Sequence, residues 1–346
     1  MNPPKPFKKL ALICFILLAI GSVSSTACKH KQPPPPPPVP TPTPVVPNGS
    51  IVFVQRGHLV RLDLDSSQTT PLTSGKSTEW YPACSPKGDQ VVYWSNAVDT
   101  ASDSKSETGV YNLWKINLDG SNRVQITFDE TNSLKTSDQN LLVNDAPTWS
   151  FDGKKILYSI EGDIWMMDSD GFNPESVLLG HSALCPQFSP DGKTVMFISN
   201  TDDTVYNIWT VSLPDKSLKK LTAYTDWNVG SPSYSMDGKK ILFNLYRADS
   251  TQVYTIDAAD GLNPVNITNN GRSLCPKFAQ NDRKILYSSY GSGDDVALDI
   301  FMVNTTGTDS KSLTLDGGAS PSWAPARILL APASVPTVPL PTPIGK

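Results

Sequence analysis

Apolar and polar positions recur along this chain in one repeated order, which is complete between Leu184 and Thr222. A strand-like stretch, Cys185-Pro186-Gln187-Phe188-Ser189, is followed by Pro190-Asp191-Gly192-Lys193. That segment is a turn, in which Pro presets φ and Gly supplies the positive φ of a tight hairpin. Val195-Met196-Phe197-Ile198 is a short continuous apolar run, the pattern of a buried strand. A polar loop leads to a third strand, Asn207-Ile208-Trp209-Thr210-Val211, and a second turn lies at Leu213 to Ser217. A fourth strand closes at Leu221-Thr222. Four antiparallel strands in about 40 residues correspond to one blade of a β-propeller.

Copies of this unit follow one another. The first-strand prolines are Pro82, Pro147, Pro186, Pro232, Pro276 and Pro321. Third strands begin at His58, Asn112, Asp163, Asn207, Gln252 and Asp299. Six of each predict six blades and an all-β fold. The two series are out of phase, because His58 precedes every proline marker and no third strand follows Pro321. The sixth blade is therefore expected to combine both termini, Ser320 to Trp323 with Ile51 to about Thr73, which leaves the ring no open edge. Two runs compete for its second strand, Ile51-Val52-Phe53-Val54 and Arg327-Ile328-Leu329-Leu330. The turn before the latter, Ala324-Pro325-Ala326, lacks the Asp-Gly of the other copies, so the N-terminal run is favoured.

Spacing separates scaffold from variable surface. The proline and the second-strand aromatic stand 11 residues apart in all five full copies, as in Pro82 to Tyr93 and Pro276 to Tyr287. The step from third-strand marker to the Leu-Thr close is nearly as constant. The other two connections vary, up to the long Ser95 to Tyr111 loop. In a four-stranded meander those variable connections share one end, so binding is expected there. Residues just before each first strand are expected to ring the channel mouth on that face: Glu79, Trp80, Tyr81, Asp145, His181, Trp227, Asn228 and Arg272. Trp80, Tyr81 and Trp227 are of the type that anchors protein partners or stacks on sugars.

Outside the repeats the composition changes. Lys5, Lys8 and Lys9 precede an apolar run, Leu10 to Ile20, too short to span a bilayer comfortably. Small residues then lead to Cys28. Residues 1–28 resemble a bacterial lipoprotein signal, which implies lipidation at Cys28, with Ser25 where that family usually has Leu. Residues 29–48 are a Pro-rich tether; a polyproline II run from Pro33 to Pro47 would reach about 45 Å. Residues 49–331 form the expected propeller, and 332–346 a Pro-rich tail. Six of the 29 Lys and Arg lie outside the propeller, leaving 23 against 33 acids and a net charge of −10. That argues against nucleic acid and against an anionic membrane surface as partners.

The turns Ser189-Pro190-Asp191-Gly192-Lys193, Phe151-Asp152-Gly153-Lys154 and Met236-Asp237-Gly238-Lys239, each followed by an apolar strand, Asp/Asn-Ile-Trp and Leu-Thr, resemble the WD40-like repeat of TolB-type propellers. The resemblance covers nearly all of residues 50–325 and implies a six-bladed ring in the cell envelope. TolB's separate N-terminal α/β domain has no counterpart in the sequence, and this chain carries a lipoprotein-type start, so TolB's own contact with the peptidoglycan-associated lipoprotein does not carry over.

Catalytic signals are sparse. There is no Gly-x-Ser-x-Gly elbow. Only His58 and His181 lie in the propeller, too few for a multi-His metal site or for the channel of related pectate-fragment lyases. Asp168-Ser169-Asp170-Gly171 and Asp202-Asp203 are possible Ca²⁺ ligands without full EF-hand spacing, and no other cofactor is expected. Cys84, Cys185 and Cys275 are an odd set, expected free and largely buried. The expectation is a monomeric, exported, lipid-anchored, non-catalytic propeller that binds an envelope protein or glycan through its loop-rich face. The alternative is a carbohydrate-active enzyme using Glu79 and Asp145 as paired carboxylates.

Overall fold

A computed structural model describes residues 48–97, 111–128, 146–248, 250–290 and 297–326. The chain opens with β1 (Ser50–Gln55), β2 (His58–Asp63) and β3 (Thr69–Pro71). Blade 1 is β4 (Glu79–Cys84), β5 (Gln90–Ser95), β6 (Asn112–Asn117) and β7 (Val124–Gln125). Blade 2 is β8 (Thr148–Trp149), β9 (Lys155–Ile160), β10 (Asp163–Asp168) and β11 (Glu175–Leu178). Blade 3 is β12 (Leu184–Phe188), β13 (Thr194–Ser199), β14 (Asn207–Ser212) and β15 (Leu218–Lys220). Blade 4 is β16 (Asn228–Tyr234), β17 (Lys240–Arg247), β18 (Ser250–Asp257) and β19 (Val265–Asn266). Blade 5 is β20 (Ser273–Ala279), β21 (Lys284–Tyr290), β22 (Leu298–Asn304) and β23 (Lys311–Ser312). The last strand, β24 (Ala319–Ala324), pairs antiparallel with β1 and completes blade 6 in the order β24-β1-β2-β3. The N-terminal run thus supplies the second strand of that blade, as its turn chemistry suggested.

Each strand position has its own burial pattern for a physical reason. Second strands such as β5 and β13 are buried over five consecutive residues, because neighbouring blades cover both their faces. Fourth strands are only two to four residues long and mostly exposed, which limits pairing at the rim. Core clusters fill the seams between blades. Tyr93 and Trp114 of blade 1 pack on Val52, Leu59 and Leu72 of blade 6. Trp149 and Ile156 of blade 2 pack on Val92 and Trp94 of blade 1. Trp114 and Trp149 are buried, in keeping with structural positions.

The repeated motifs are hydrogen-bonding devices. In the Ser-x-Asp-Gly turn of blade 3, Ser189 Oγ donates to Asp191 at 2.7 Å, and the Lys193 N–H donates to the same carboxylate. Gly192 takes φ +68°. Blades 2 and 4 repeat this with Ser150, Asp152 and Gly153 and with Ser235, Asp237 and Gly238. The Leu-Thr close is a lock between third and fourth strands. Thr73, Thr127, Thr222, Thr268 and Thr314 each accept the backbone N–H of Leu59, Leu113, Ile208, Val253 or Ile300 at 2.9–3.0 Å. In three blades the same hydroxyl donates to the marker side chain, Asn112, Asn207 or Asp299. The Asn/Asp-Ile and Leu-Thr motifs are therefore two halves of one contact. The third turns also press on the preceding blade. Gly261 has φ +77°, and a Cβ there would lie 2.1 Å from the Leu221 carbonyl oxygen, so only glycine fits.

The two ends of the ring differ as the intervals predicted. First and third turns touch each other at one end: Leu118, Leu213 and Ala258 N–H groups donate to the Asp89, Lys193 and Lys239 carbonyls at 2.9 Å. Second turns and interblade links meet at the other: Glu79, Ala183 and Val229 donate to Gly57, Gly162 and Tyr206.

Glu79 requires a correction. It lies at the start of β4 on the loop-rich end, yet its side chain is fully buried in the seam between blades 6 and 1, not at the channel mouth. Oε1 accepts from Ser77 Oγ at 2.7 Å, Arg123 at 3.1 Å and Ser95 Oγ at 3.2 Å. Oε2 accepts from Thr73 Oγ1 at 2.8 Å and lies 3.0 Å from His58 Nδ1. Arg123 also stacks over Trp114 at 4.9 Å. The carboxylate stands where Asn or Asp completes the threonine lock in other blades, because His58 fills the marker slot of blade 6. It joins both parts of the closing seam.

Two outcomes follow. Glu79→Ala leaves Arg123 without its buried partner and should cost about 3–5 kcal/mol, read as a lower denaturant midpoint. Glu79→Gln should also destabilise, because its NH₂ group would face hydroxyl and guanidinium donors; wild-type stability in both variants would refute a stabilising role for the Glu79 cluster. The acid response rests on the turns. Ser150 and Ser189 hydroxyls chiefly hold Asp152 and Asp191 below their ordinary pKa, and the Lys239 N–H does so for Asp237. Folded values below the unfolded 3.8 mean stability that is present above that pH and lost as pH falls through the folded values. The thermal midpoint should decline below about pH 4, less steeply in a variant carrying Asp152→Asn, Asp191→Asn and Asp237→Asn.

Candidate functional site

The loop-rich end gathers the starts of the first strands. Trp80 and Tyr81 are half-buried, their rings tilted at 45° with centroids 6.1 Å apart, and both pack against the seam of blades 1 and 2. Trp227, also half-buried, packs against the different seam of blades 3 and 4. Asn228 accepts the Tyr206 N–H at 2.9 Å and thereby orders the second turn of blade 3. His181 is half-buried, and its carbonyl accepts from Ser199 Oγ at 2.5 Å and from Thr201 Oγ1. Arg272 is exposed beside Thr251. Asp145, Cys28 and most of the Ser95 to Tyr111 loop lie outside the described residues. The structure thus pairs Trp80 with Tyr81, keeps Trp227 and Asn228 together at the start of blade 4, and places His181 and Arg272 before the first strands of blades 3 and 5.

The strands around the channel share a bulge. Register skips between Trp80 and Ala83, Leu184 and Gln187, Gly230 and Ser233, and Leu274 and Lys277. The residue before the proline takes positive φ in five blades: Tyr81, Cys185, Ser231, Cys275 and Ser320, all between 46° and 54°. Such a bulge re-aims a side chain and interrupts pairing. Directly after the proline come Ala83, Thr148, Gln187, Ser233, Lys277 and Ser322. Several of these latch the next blade: Thr148 donates to the Pro186 carbonyl, Gln187 accepts the Tyr234 N–H, and Ser322 accepts the Cys84 N–H. The sequence reading treated this ring as scaffold and passed over Lys277. The available signal was a cation in a slot that sibling blades fill with Ala, Thr, Gln or Ser.

The remaining candidate chemistry is spent locally. Asp168 pairs with Lys155 at 2.9 Å and accepts from Asn173, and Asp203 pairs with Lys220 at 2.5 Å. Among the described residues no three His, Cys, Asp or Glu come together as metal ligands. Cys84, Cys185 and Cys275 are not joined in disulfides. Burial pushes Cys84 up to about 12 and Cys275 up to about 11, so both are protonated, weak nucleophiles at neutral pH.

Known proteins place this architecture. The TolB beta propeller domain family matches residues 105–334, about two thirds of the chain. An uncharacterized protein of Agrobacterium fabrum is 26% identical over 189 residues, which is 52% of this chain and 61% of that protein; the chain spans about three fifths of that relative's length. Among solved structures, TolB from Acinetobacter baumannii superposes with a TM-score of 0.64 at 23% identity, covering 80% of this chain and 67% of that one. A putative TolB from Agrobacterium tumefaciens gives 0.59 at 18% identity, covering 79% and 91%. Six blades, the repeated turn and lock motifs and the family match agree: the chain belongs to the TolB β-propeller domain family.

Proposed function

We propose that this chain is a non-catalytic binding protein of the cell envelope, held by a lipid at Cys28 and a Pro-rich tether, which recognises a protein partner through its loop-rich face. The observation that carries this reading is the asymmetry of the ring. Its hairpin end is closed by repeated, nearly invariant turns, whereas its other end presents variable connections. Half-buried Trp80, Tyr81 and Trp227 stand at that end with part of each side chain solvent-accessible. Aromatic side chains held by a core on one side and open on the other are common binding anchors. A glycoside-cleaving role loses its first carboxylate, because the Glu79 oxygens are occupied by five donors and shut away from solvent. The net charge of −10 over residues 48–331 favours partners with basic or neutral contact surfaces.

The test compares capture of envelope proteins by the full chain, by a Trp80→Ala/Trp227→Ala variant, and by a Phe172→Ala control at the hairpin end. Partner recovery should fall about tenfold or more for the double variant and stay unchanged for the control. Equal recovery by all three would remove the loop-rich face as the binding surface.

A further inference from the structure

In blades 1, 2 and 3 the second strand sets an aromatic ring opposite a tryptophan of the third. Tyr93 pairs with Trp114, Tyr158 with Trp165 and Phe197 with Trp209. Blades 1 and 3 cover that tryptophan with a cation of their own. Arg123 stands 4.9 Å from the Trp114 ring centre, and Lys220 stands 5.5 Å from that of Trp209. Both cations come from the fourth-strand segment. Lys220 lies directly opposite Trp209, and Arg123 lies two residues before Gln125, which is opposite Trp114. In blade 2 the residue opposite Trp165 is Ser176, and two residues before it stands Pro174. Neither of these positions can supply Trp165 with a cation.

A cavity of about 510 Å³ lies at Trp165, within the range of small-ligand pockets. Three rings line it: Trp165, Tyr158 and Phe128, the last from the segment that follows β7 of blade 1. Ile126, Ile160 and Met167 complete its apolar wall. Tyr158 is buried, Trp165 half-buried and Phe128 76% exposed, so the cavity has a fixed floor and an accessible edge. Aromatic faces carry negative potential and attract cations, most strongly where water is excluded. The lining narrows the class of cation, because no charged side chain belongs to it. Arg123 and Lys220 each keep an acid, Glu79 at 3.1 Å and Asp203 at 2.5 Å, which satisfies N–H groups that burial takes from water. A primary ammonium or guanidinium entering the blade 2 cavity would meet no carboxylate in its walls and would forfeit those hydrogen bonds. A quaternary ammonium has no N–H to satisfy. We propose that the seam between blades 1 and 2 binds a small quaternary ammonium compound, its methyl groups held among Trp165, Tyr158 and Phe128. The acidic excess of residues 48–331 favours a simple cation over a zwitterion. The site does not rest on the loop-rich face as a binding surface.

The experiment is thermal unfolding of the full chain in choline chloride, in sodium chloride at the same ionic strength, and with 3,3-dimethylbutan-1-ol, the uncharged carbon analogue of choline. Two variants at exposed positions accompany the wild type. Ser176→Lys supplies the cation that blade 3 holds at Lys220, and Phe128→Ala removes one ring. Comparing wild type with variant cancels the general effect of salt and alcohol. At ten times its dissociation constant, choline should raise the wild-type midpoint about 2–3 °C more than that of Ser176→Lys. Phe128→Ala should need about two- to fivefold more choline for the wild-type shift. Sodium chloride and the carbon analogue should give no such differences. Equal choline shifts in all three proteins would overturn the proposal, and an analogue difference as large as choline's would overturn the cation assignment. Cosedimentation with phosphatidylcholine vesicles that free choline reverses would overturn the free-solute assignment in favour of a lipid headgroup.

Discussion

A blade of this ring has two apolar faces and no means of covering either one itself. The burial of β5, β9, β13, β17 and β21 depends on a neighbour on each side, so every blade is a partial fold until the circle closes. Closure is the constraint on which the rest depends, and a single antiparallel pairing, β24 on β1, provides it. The Glu79 cluster reinforces the neighbouring seam, tying His58 and Thr73 of the closing blade to Ser95 and Arg123 of blade 1. A buried carboxylate among fixed donors tolerates little displacement, which fixes the seam where the chain passes from the closing blade into blade 1.

Blade number, strand order and the closing arrangement were legible because their determinants are local. A turn needs its Gly, a doubly covered strand reads as an apolar run, and the threonine lock leaves its two halves 14 or 15 residues apart, as in His58 to Leu72 and Gln252 to Ile267. The candidate site was less legible. Glu79 was placed at the mouth because it precedes a first strand, but strand position alone does not say whether a side chain points to the opening or into a seam. That depends on the bulge two residues later and on Thr73, Ser77, Ser95 and Arg123, none of which the repeat pattern connects to it. Lys277 was missed for the opposite reason. It sits inside a repeat whose regularity marks it as scaffold, and only the contacts of Thr148, Gln187 and Ser322 show that three sibling blades use the slot to grip the next blade.

The same scaffold therefore carries two kinds of deviation. At the loop-rich end the connections differ in length, which alters the outer surface without disturbing a strand register. At the first strands the connections are constant and the residue after the proline differs: Ala83, Thr148, Gln187, Ser233, Lys277 or Ser322. Deviations of the first kind cost little, since loop closure depends weakly on length. Deviations of the second kind act through single hydrogen bonds, as in the Thr148, Gln187 and Ser322 latches.

The closing blade also decides where the ring can be held. Asn48 is fixed to Asp65 by hydrogen bonds of 2.7–3.2 Å, and Ser50 is paired with Ala324. Both ends of the propeller consequently emerge side by side at the hairpin end, on the side opposite the variable connections. A fusion, affinity handle or surface linkage added at either end grips the molecule from behind. Such a graft leaves the opposite side unobstructed, and a linker joining the two ends would span only neighbouring strands.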